Sequence, residues 1–63
     1  DRCLARLPDR SRLVVSDYYY TGLSLEEIGR SRSLQTNHVA QILYRSRQAL
    51  QTCITQLEDA ENE

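Results

Sequence analysis

The 63-residue sequence contains no lysine, tryptophan, phenylalanine or methionine, a single proline, a single histidine, and only two residues each of glycine and cysteine. Without a Cys-x-x-Cys pair, two cysteines and one histidine are too few ligands for a zinc site, and we expect no metal. The cysteines also do not make a disulfide scaffold. We interpret Cys3 and Cys53 as small buried hydrophobic residues near the two ends of a helical bundle, with a redox role as the alternative.

Long hydrophobic segments are missing as well. No segment approaches the roughly 20 apolar residues that cross a bilayer, and no signal peptide opens the sequence, so we expect a soluble protein without a membrane partner. A domain of this length buries only about 60% of its unfolded surface, which leaves little room for a catalytic cleft. With no cofactor motif either, we expect one small domain that has no cofactor and is not an enzyme. Because the sequence begins at Asp1 rather than Met, we expect a piece of a longer protein.

The charges are distributed unevenly along the chain. The formal net charge is −1, and all eight basic residues are arginines within 1–57. Of the nine acidic residues, five lie in 1–57 and four in 58–63. We therefore expect a mildly basic domain over 1–57 and a frayed acidic tail over 58–63, since negative charge opposes the negative end of a helix dipole.

Alternating strand patterns are absent, which predicts an all-α fold, a small bundle of about four helices. The first helix spans about residues 1–6. Pro8 opens a second helix that runs to about residue 20 and ends near Gly22. Its apolar face points inward while Asp17 points away, and we expect core or boundary packing for Tyr19. The members of that face are Val14, Val15, Tyr18 and Tyr19.

The second half of the sequence predicts a helix-turn-helix unit. Ser24 and Glu27 form a capping box, so a short third helix starts at Leu25. A long amphipathic helix starts near Thr36 and follows a tight turn. In helix-turn-helix units the second helix enters the DNA major groove, where Asn and Gln side chains can each make two hydrogen bonds to an adenine edge. The polar face of this long helix contains Asn37, Gln41, Tyr44 and Gln48, flanked by His38 and Arg45.

Several stretches resemble a known family in residues and spacing. They are Leu-Pro-Asp-Arg-Ser-Arg-Leu-Val-Val at 7–15, Tyr18-Tyr19, Gly-Leu-Ser-Leu-Glu-Glu-Ile-Gly at 22–29, and the continuation through 39–50. Together they are similar to region 4 of bacterial sigma-70 family sigma factors, without a gap. The ending Arg-Gln-Ala-Leu-Gln-Thr-Cys-Ile at 47–54 is similar to the extracytoplasmic-function branch of that family.

This resemblance implies a domain for transcription initiation that recognises the −35 element of double-stranded promoter DNA and docks on the β flap of RNA polymerase. It also implies a cytoplasmic location, with an anti-sigma factor as a candidate second partner. The family's base-contacting positions fall on Thr36, Asn37, His38 and Gln41. Candidate phosphate contacts are Arg30, Arg45 and Arg47.

The chain departs from the family pattern at two places. The family commonly has an aliphatic pair and then glycine where this chain has Ser-Arg-Ser at 31–33, and it often has an aliphatic residue at the position of Asp17. A serine in a left-handed conformation costs about 1 kcal/mol relative to glycine. Leu34 is a candidate to replace the missing aliphatic packing. Gln35 replaces the usual Ser or Thr cap, and Thr36 is the substitute one residue later. The turn therefore leaves the start of the recognition helix open.

Two alternative functions remain. One is a helix-turn-helix effector domain from another transcriptional regulator, against which the Leu7-Pro8 opening and the Ala49-Leu50 ending argue. The other is a protein-interaction bundle that does not bind DNA, which the net charge of −1 and the irregular turn motivate.

Overall fold

A computed structural model describes residues 2–61, and it contains α1 (Arg2–Ala5), α2 (Asp9–Tyr19), α3 (Leu25–Arg32) and α4 (Thr36–Glu61). The part of the chain that the structure describes has no β-strand, which confirms the predicted all-α bundle. The first three helices pack against α4, and α2 also packs against α3. None of these helices combines the length and the apolar composition that a bilayer span needs.

The helices begin where local signals predict. Pro8 precedes α2 with φ −55°, the value that its ring fixes and that suits a helix start. The capping box of α3 is present, because the Ser24 hydroxyl accepts a hydrogen bond from the Glu27 backbone N–H at 3.1 Å and the Glu27 carboxylate accepts one from the Ser24 N–H at 3.0 Å. The residues between α2 and α3 include Gly22, whose φ of +78° favours glycine.

The core lies where α2 and α3 meet α4. Leu34, in the turn, packs against this core as expected, and so does the half-buried ring of Tyr18. Tyr19 lies at the boundary, 53% exposed, and its ring and that of Tyr18 form an edge-to-face pair with centroids 5.0 Å apart. The buried members of the core are Leu7, Val14, Val15, Ile28, Val39, Ile42 and Leu43.

The prediction that Asp17 points away from the bundle is wrong. Asp17 is only 9% exposed, and its carboxylate accepts hydrogen bonds from Arg32 Nε at 2.8 Å and Arg32 Nη2 at 3.1 Å. These side-chain hydrogen bonds raise the pKa of the Arg32 guanidinium above its ordinary value. A buried carboxylate needs such a partner, because an unpaired charge is costly away from water. The pair fastens α2 to the last residue of α3.

The turn before α4 has the strained conformation that its sequence predicts. Ser33 caps α3 in the left-handed region, with φ 59° and ψ 44°, and its backbone N–H donates to the Gly29 carbonyl. Leu34 N–H donates to the same carbonyl at 2.8 Å. The recognition helix α4 begins at Thr36, which is therefore its first helical residue and not its cap.

The two cysteines are bonded to each other. Cys3 in α1 and Cys53 in α4 form a disulfide with their Cα atoms 5.8 Å apart, across 50 residues of sequence. Both are buried, as expected, but their interpretation as separate hydrophobic residues is wrong. The reason is tertiary: α1 packs against α4, which brings the two positions together.

The long helix extends past the boundary expected from composition. It continues through Glu61, so it enters the 58–63 segment for which a frayed acidic tail is predicted. Residues 62 and 63 lie outside the described residues, as does the predicted first residue of α1, Asp1.

Candidate nucleic-acid interface

The helix-turn-helix geometry depends on a close approach between α3 and the turn. A Cβ atom at Gly29 would lie 2.5 Å from the Leu34 carbonyl oxygen and 3.7 Å from the Thr36 backbone nitrogen. Only a residue without a side chain allows α3 to lie this close to the start of α4. Gly29 is thus a structural requirement for the placement of the recognition helix.

The first two turns of α4 present an uncovered polar surface. Thr36, Asn37, His38 and Gln41 are all exposed, and none of their side chains forms a hydrogen bond or ion pair within the described residues. Val39, between them, is fully buried and anchors this end of the helix in the core. The four predicted base-contacting side chains therefore lie together on one solvent-facing surface.

The arginines predicted to contact phosphates differ in their surroundings. Arg30 is exposed on α3 and lines the same shallow cleft as Thr36, so it lies beside the start of the recognition helix. Arg45 is exposed one turn beyond Gln41, about 6 Å along the helix axis. It forms no ion pair among the residues described.

Arg47 is held against α2. Its Nε donates a hydrogen bond to the Tyr19 hydroxyl at 2.6 Å. Its guanidinium also lies over two aromatic rings, 5.8 Å from the Tyr18 centroid and 5.7 Å from that of Tyr19. Stacking of this kind is favourable for arginine. Arg47 is therefore directed away from the surface that carries Asn37 and Gln41.

The start of α4 combines a helix N-terminus with side-chain charges of both signs, because Arg30 and Glu26 line the same cleft. The unpaired backbone N–H groups at a helix N-terminus carry partial positive charge, and Arg30 adds a full charge nearby.

Glu27 lies at the other end of α3, where hydrogen bonds from the Ser24 backbone and hydroxyl lower its pKa, with a smaller contribution from Arg30. Its carboxylate is occupied by the cap, which explains it without acid–base chemistry.

Tyr44 is an exposed residue on this side of α4 that the predicted contact set leaves out. It is 60% exposed, and its hydroxyl accepts a hydrogen bond from Gln48 Nε2 at 2.9 Å. It follows Gln41 along the same polar face, so its position was readable from helical spacing.

A second surface lies on the side of the molecule where α1, α2 and the later turns of α4 meet. It is an apolar groove of about 470 Å³. Tyr20 at its edge is 76% exposed, and Ile54 is 43% exposed. Its apolar lining residues are Leu4, Val15, Tyr19, Tyr20, Leu50 and Ile54.

A short capped helix, a three-residue connection and a long helix with an uncovered polar start define a helix-turn-helix domain. The profile of the family described as "Sigma-70, region 4" matches residues 3–52, and the chain belongs to this family. It is also 44% identical over 50 residues to the ECF RNA polymerase sigma factor SigF of Caulobacter vibrioides (strain NA1000 / CB15N), a match that covers 79% of this chain and 28% of that protein. No solved structure matches the chain.

These comparisons confirm the resemblance to sigma-70 region 4 that the sequence carries, and the relative's name agrees with the extracytoplasmic-function branch. The family assignment covers the whole helix-turn-helix unit. It leaves the individual DNA contacts to be derived from the geometry.

Proposed function

We propose that this chain is the promoter-recognition domain of an extracytoplasmic-function sigma factor, and that it binds the −35 element through the start of α4 in the major groove. The observation that carries the proposal is the uncovered polar surface formed by Thr36, Asn37, His38 and Gln41. An α-helix fits the major groove, and side chains without internal partners exchange hydrogen bonds to water for bonds to base edges without losing any within the protein.

Within this surface the roles follow from side-chain chemistry. The amides of Asn37 and Gln41 can each pair with both the donor and the acceptor of an adenine edge. Thr36 and His38 have fewer suitable groups and contact either a base or a phosphate. Exposed Ala40 has no polar group and can only contribute an apolar contact, such as one with a thymine methyl group.

Phosphate contacts come from the arginines that border this surface. Arg30 lies at the helix start, and Arg45 lies one turn beyond Gln41. Arg47 is assigned the weakest contact, because binding a phosphate competes with its hydrogen bond to Tyr19. Such contacts give affinity that falls with salt and carries no sequence information.

We further propose that the apolar groove docks on the β flap of RNA polymerase. Its exposed Tyr20 and Ile54 supply apolar area on a surface separate from the polar start of α4, so DNA and polymerase can bind together. An anti-sigma factor is a second proposed partner. The proposal places the protein in the cytoplasm, where the polymerase acts.

Base recognition is tested with Asn37→Ala and Gln41→Ala in fluorescence-anisotropy titrations of a duplex selected from a random pool. Each variant is expected to lose about 1–3 kcal/mol on the selected duplex and much less on a scrambled one. Gln56→Ala is the matched control, because it removes a side-chain amide from an exposed position about 22 Å beyond Gln41 along α4. Equal losses on both duplexes would contradict the base-contact assignment.

Phosphate binding is tested with Arg45→Ala against Arg12→Ala. Both remove one positive charge, but Arg12 lies on α2 and pairs with Asp9 at 2.8 Å. Arg45→Ala is expected to weaken all duplexes alike and to reduce the slope of log affinity against log salt by about one. An identical effect of both variants would indicate a general charge effect and not a contact.

The alternative function, a bundle that binds protein only, predicts a different result. An NMR titration of the chain with duplex at low salt would then show no amide shifts at 36–41, while titration with the β flap would shift residues of the apolar groove. Shifts centred on 36–41 that weaken with salt support the DNA-binding proposal.

A further inference from the structure

The Cys3–Cys53 bridge determines how α1 is attached. This helix has four residues, too few to be stable alone, and its place depends on its packing against α4. Besides the disulfide, Leu7 is buried in the core and Leu4 packs partly against it. Leu4 is also one of the residues that line the apolar groove. Attachment of α1 and completeness of the groove are therefore coupled.

The bridge is part of a surface pocket. Both cysteines line a pocket of about 510 Å³, together with Arg6 and Arg45 and without any acidic residue. Arg6 Nη1 donates a hydrogen bond to the Cys53 sulfur at 3.7 Å. Cationic surroundings favour the approach of a thiolate, and a guanidinium beside a sulfur favours its departure as a thiolate.

We propose that Cys3 and Cys53 form a reversible thiol–disulfide site that fastens α1 to α4 and so controls the apolar groove. The reductant is a dithiol, and the oxidant is a low-molecular-weight disulfide. The thiol chemistry and the release of α1 stand independently of the function proposed above. Only the consequence for polymerase docking rests on it.

Reduction proceeds by two balanced exchanges. A thiolate of the dithiol attacks Sγ of Cys3, the bond to Cys53 breaks, and the electron pair leaves on Sγ of Cys53 beside the Arg6 guanidinium. The second thiolate of the dithiol then attacks the other sulfur of the same dithiol, which is bonded to Cys3 in the mixed disulfide. This attack expels Sγ of Cys3 as a thiolate. The protons lost by the dithiol neutralise the two cysteines, and the dithiol ends as a cyclic disulfide. A low-molecular-weight disulfide reverses the sequence.

The structure supplies reporters for the release of α1. The backbone N–H groups of Arg6 and Leu7 donate to the carbonyls of Cys3 and Leu4 at 3.2 and 3.1 Å, so both amides report on this helix. The Val39 N–H donates to a backbone carbonyl at 3.0 Å at the start of α4, far from the bridge in sequence. It reports on the helix-turn-helix unit.

Amide hydrogen exchange is measured by NMR on the oxidised chain, after dithiothreitol, and after reoxidation with oxidised glutathione. Arg6 and Leu7 are expected to exchange at least about tenfold faster after reduction and to recover on reoxidation, with Val39 unchanged. Unchanged exchange at Arg6 and Leu7 would overturn the proposal. So would an equal loss of protection at Val39, since the bridge would then support the whole fold, or a failure of the disulfide to re-form.

The role of Arg6 is tested by the rate of dithiothreitol reduction, followed by trapping the released thiols with iodoacetamide. Arg6→Ala is expected to slow reduction about three- to tenfold, because the departing Cys53 thiolate loses the guanidinium beside it, and Arg6→Lys restores part of the rate. Arg10→Ala, which removes an exposed charge on α2, is the matched control. Equal rates for Arg6→Ala and the control would contradict the positioning of Arg6.

Docking is measured separately, as binding of the oxidised and reduced chain to the β flap and to the selected duplex. Loss of flap binding after reduction, with DNA binding kept, supports control of the groove. The double variant Cys3→Ser/Cys53→Ser is expected to behave like the reduced chain. If exchange at Arg6 and Leu7 depends on the redox state but neither state binds the flap, the thiol–disulfide site is supported and the proposed docking fails.

Discussion

Ser33→Gly is expected to stabilise the domain. Ser33 has φ 59° and ψ 44°, and a side chain in this left-handed region costs about 1–2 kcal/mol. Glycine removes that cost but gives the unfolded chain more conformational freedom, which offsets about 0.4–1 kcal/mol. The net gain is about 0.5–1 kcal/mol. For a chain of this length the entropy of unfolding is about 0.13 kcal/mol/K, so Tm rises by about 4–8 °C.

The assay is thermal unfolding followed by circular dichroism at the helix band, with the disulfide intact in every sample. Ser31→Gly is the matched control, because it makes the same chemical change two residues earlier, at an exposed position inside α3. Glycine in a helix costs about 0.5 kcal/mol relative to serine, so this variant is expected to lose about 4 °C. The two identical substitutions should therefore have opposite signs. A lower Tm for Ser33→Gly would refute the left-handed cap and the turn geometry derived from it.

Three further predictions concern the same unit. The pKa of Glu27 is lowered from its ordinary value of 4.5, so the ionised carboxylate stabilises the fold at pH values above 4.5. This contribution is lost as the pH falls through the lower pKa of the folded state. Between about pH 5 and pH 3, Tm is therefore expected to fall less for Glu27→Gln than for the parent chain. Gly29→Ala is expected to cost about 1–2 kcal/mol in thermal unfolding, because its Cβ meets the Leu34 carbonyl oxygen at 2.5 Å and overpacking exceeds the helix propensity gained. Arg32→Leu is expected to lower Tm by leaving the buried Asp17 carboxylate unpaired, and Asp17→Leu/Arg32→Leu to recover it.

Each of these has its own control. For Glu27, an equal loss of Tm in parent and variant would show that other carboxylates account for the acid response. For Gly29, the control is Ser31→Ala, which gains helix propensity at an exposed site of the same helix and should raise Tm slightly. For the Asp17–Arg32 pair, the reference is Asp17→Leu alone. Additive losses in the double variant would mean that the two residues do not act as a pair.

The parts of the fold that depend on residues close together in the sequence could be predicted from the sequence. Pro8, the Ser24 capping box and the apolar spacing of α4 are local signals, and each helix begins within a residue or two of the place they indicate. The same holds for the polar start of α4, because helical spacing alone puts Asn37 and Gln41 on one face. Such signals involve residues within about one helical turn of each other, so they can be recognised in the sequence without knowledge of the fold.

The disulfide and the direction of Asp17 could not be predicted in this way, because both depend on residues that meet only in the folded chain. Cys3 and Cys53 are 50 residues apart, and nothing near either one indicates a partner. Asp17 on an amphipathic helix indicates a solvated side chain unless its partner is known. That partner, Arg32, lies 15 residues later at the end of α3, in a segment that itself departs from the family pattern.

The two departures from the family pattern are therefore one structural change. Asp17 stands where an aliphatic residue is usual, and Arg32 lies in the position of the usual aliphatic pair, yet their side chains meet through two hydrogen bonds at the junction of α2 and α3. The Asp17 carboxylate alone would be buried without a partner, whereas the half-exposed Arg32 guanidinium satisfies it from the edge of the bundle. Because Arg32 is used in this way, it is not available to bind a DNA phosphate. For the proposed DNA contact, this leaves Arg30 and Arg45 as the arginines beside the start of α4 that have no ion-pair partner among the described residues.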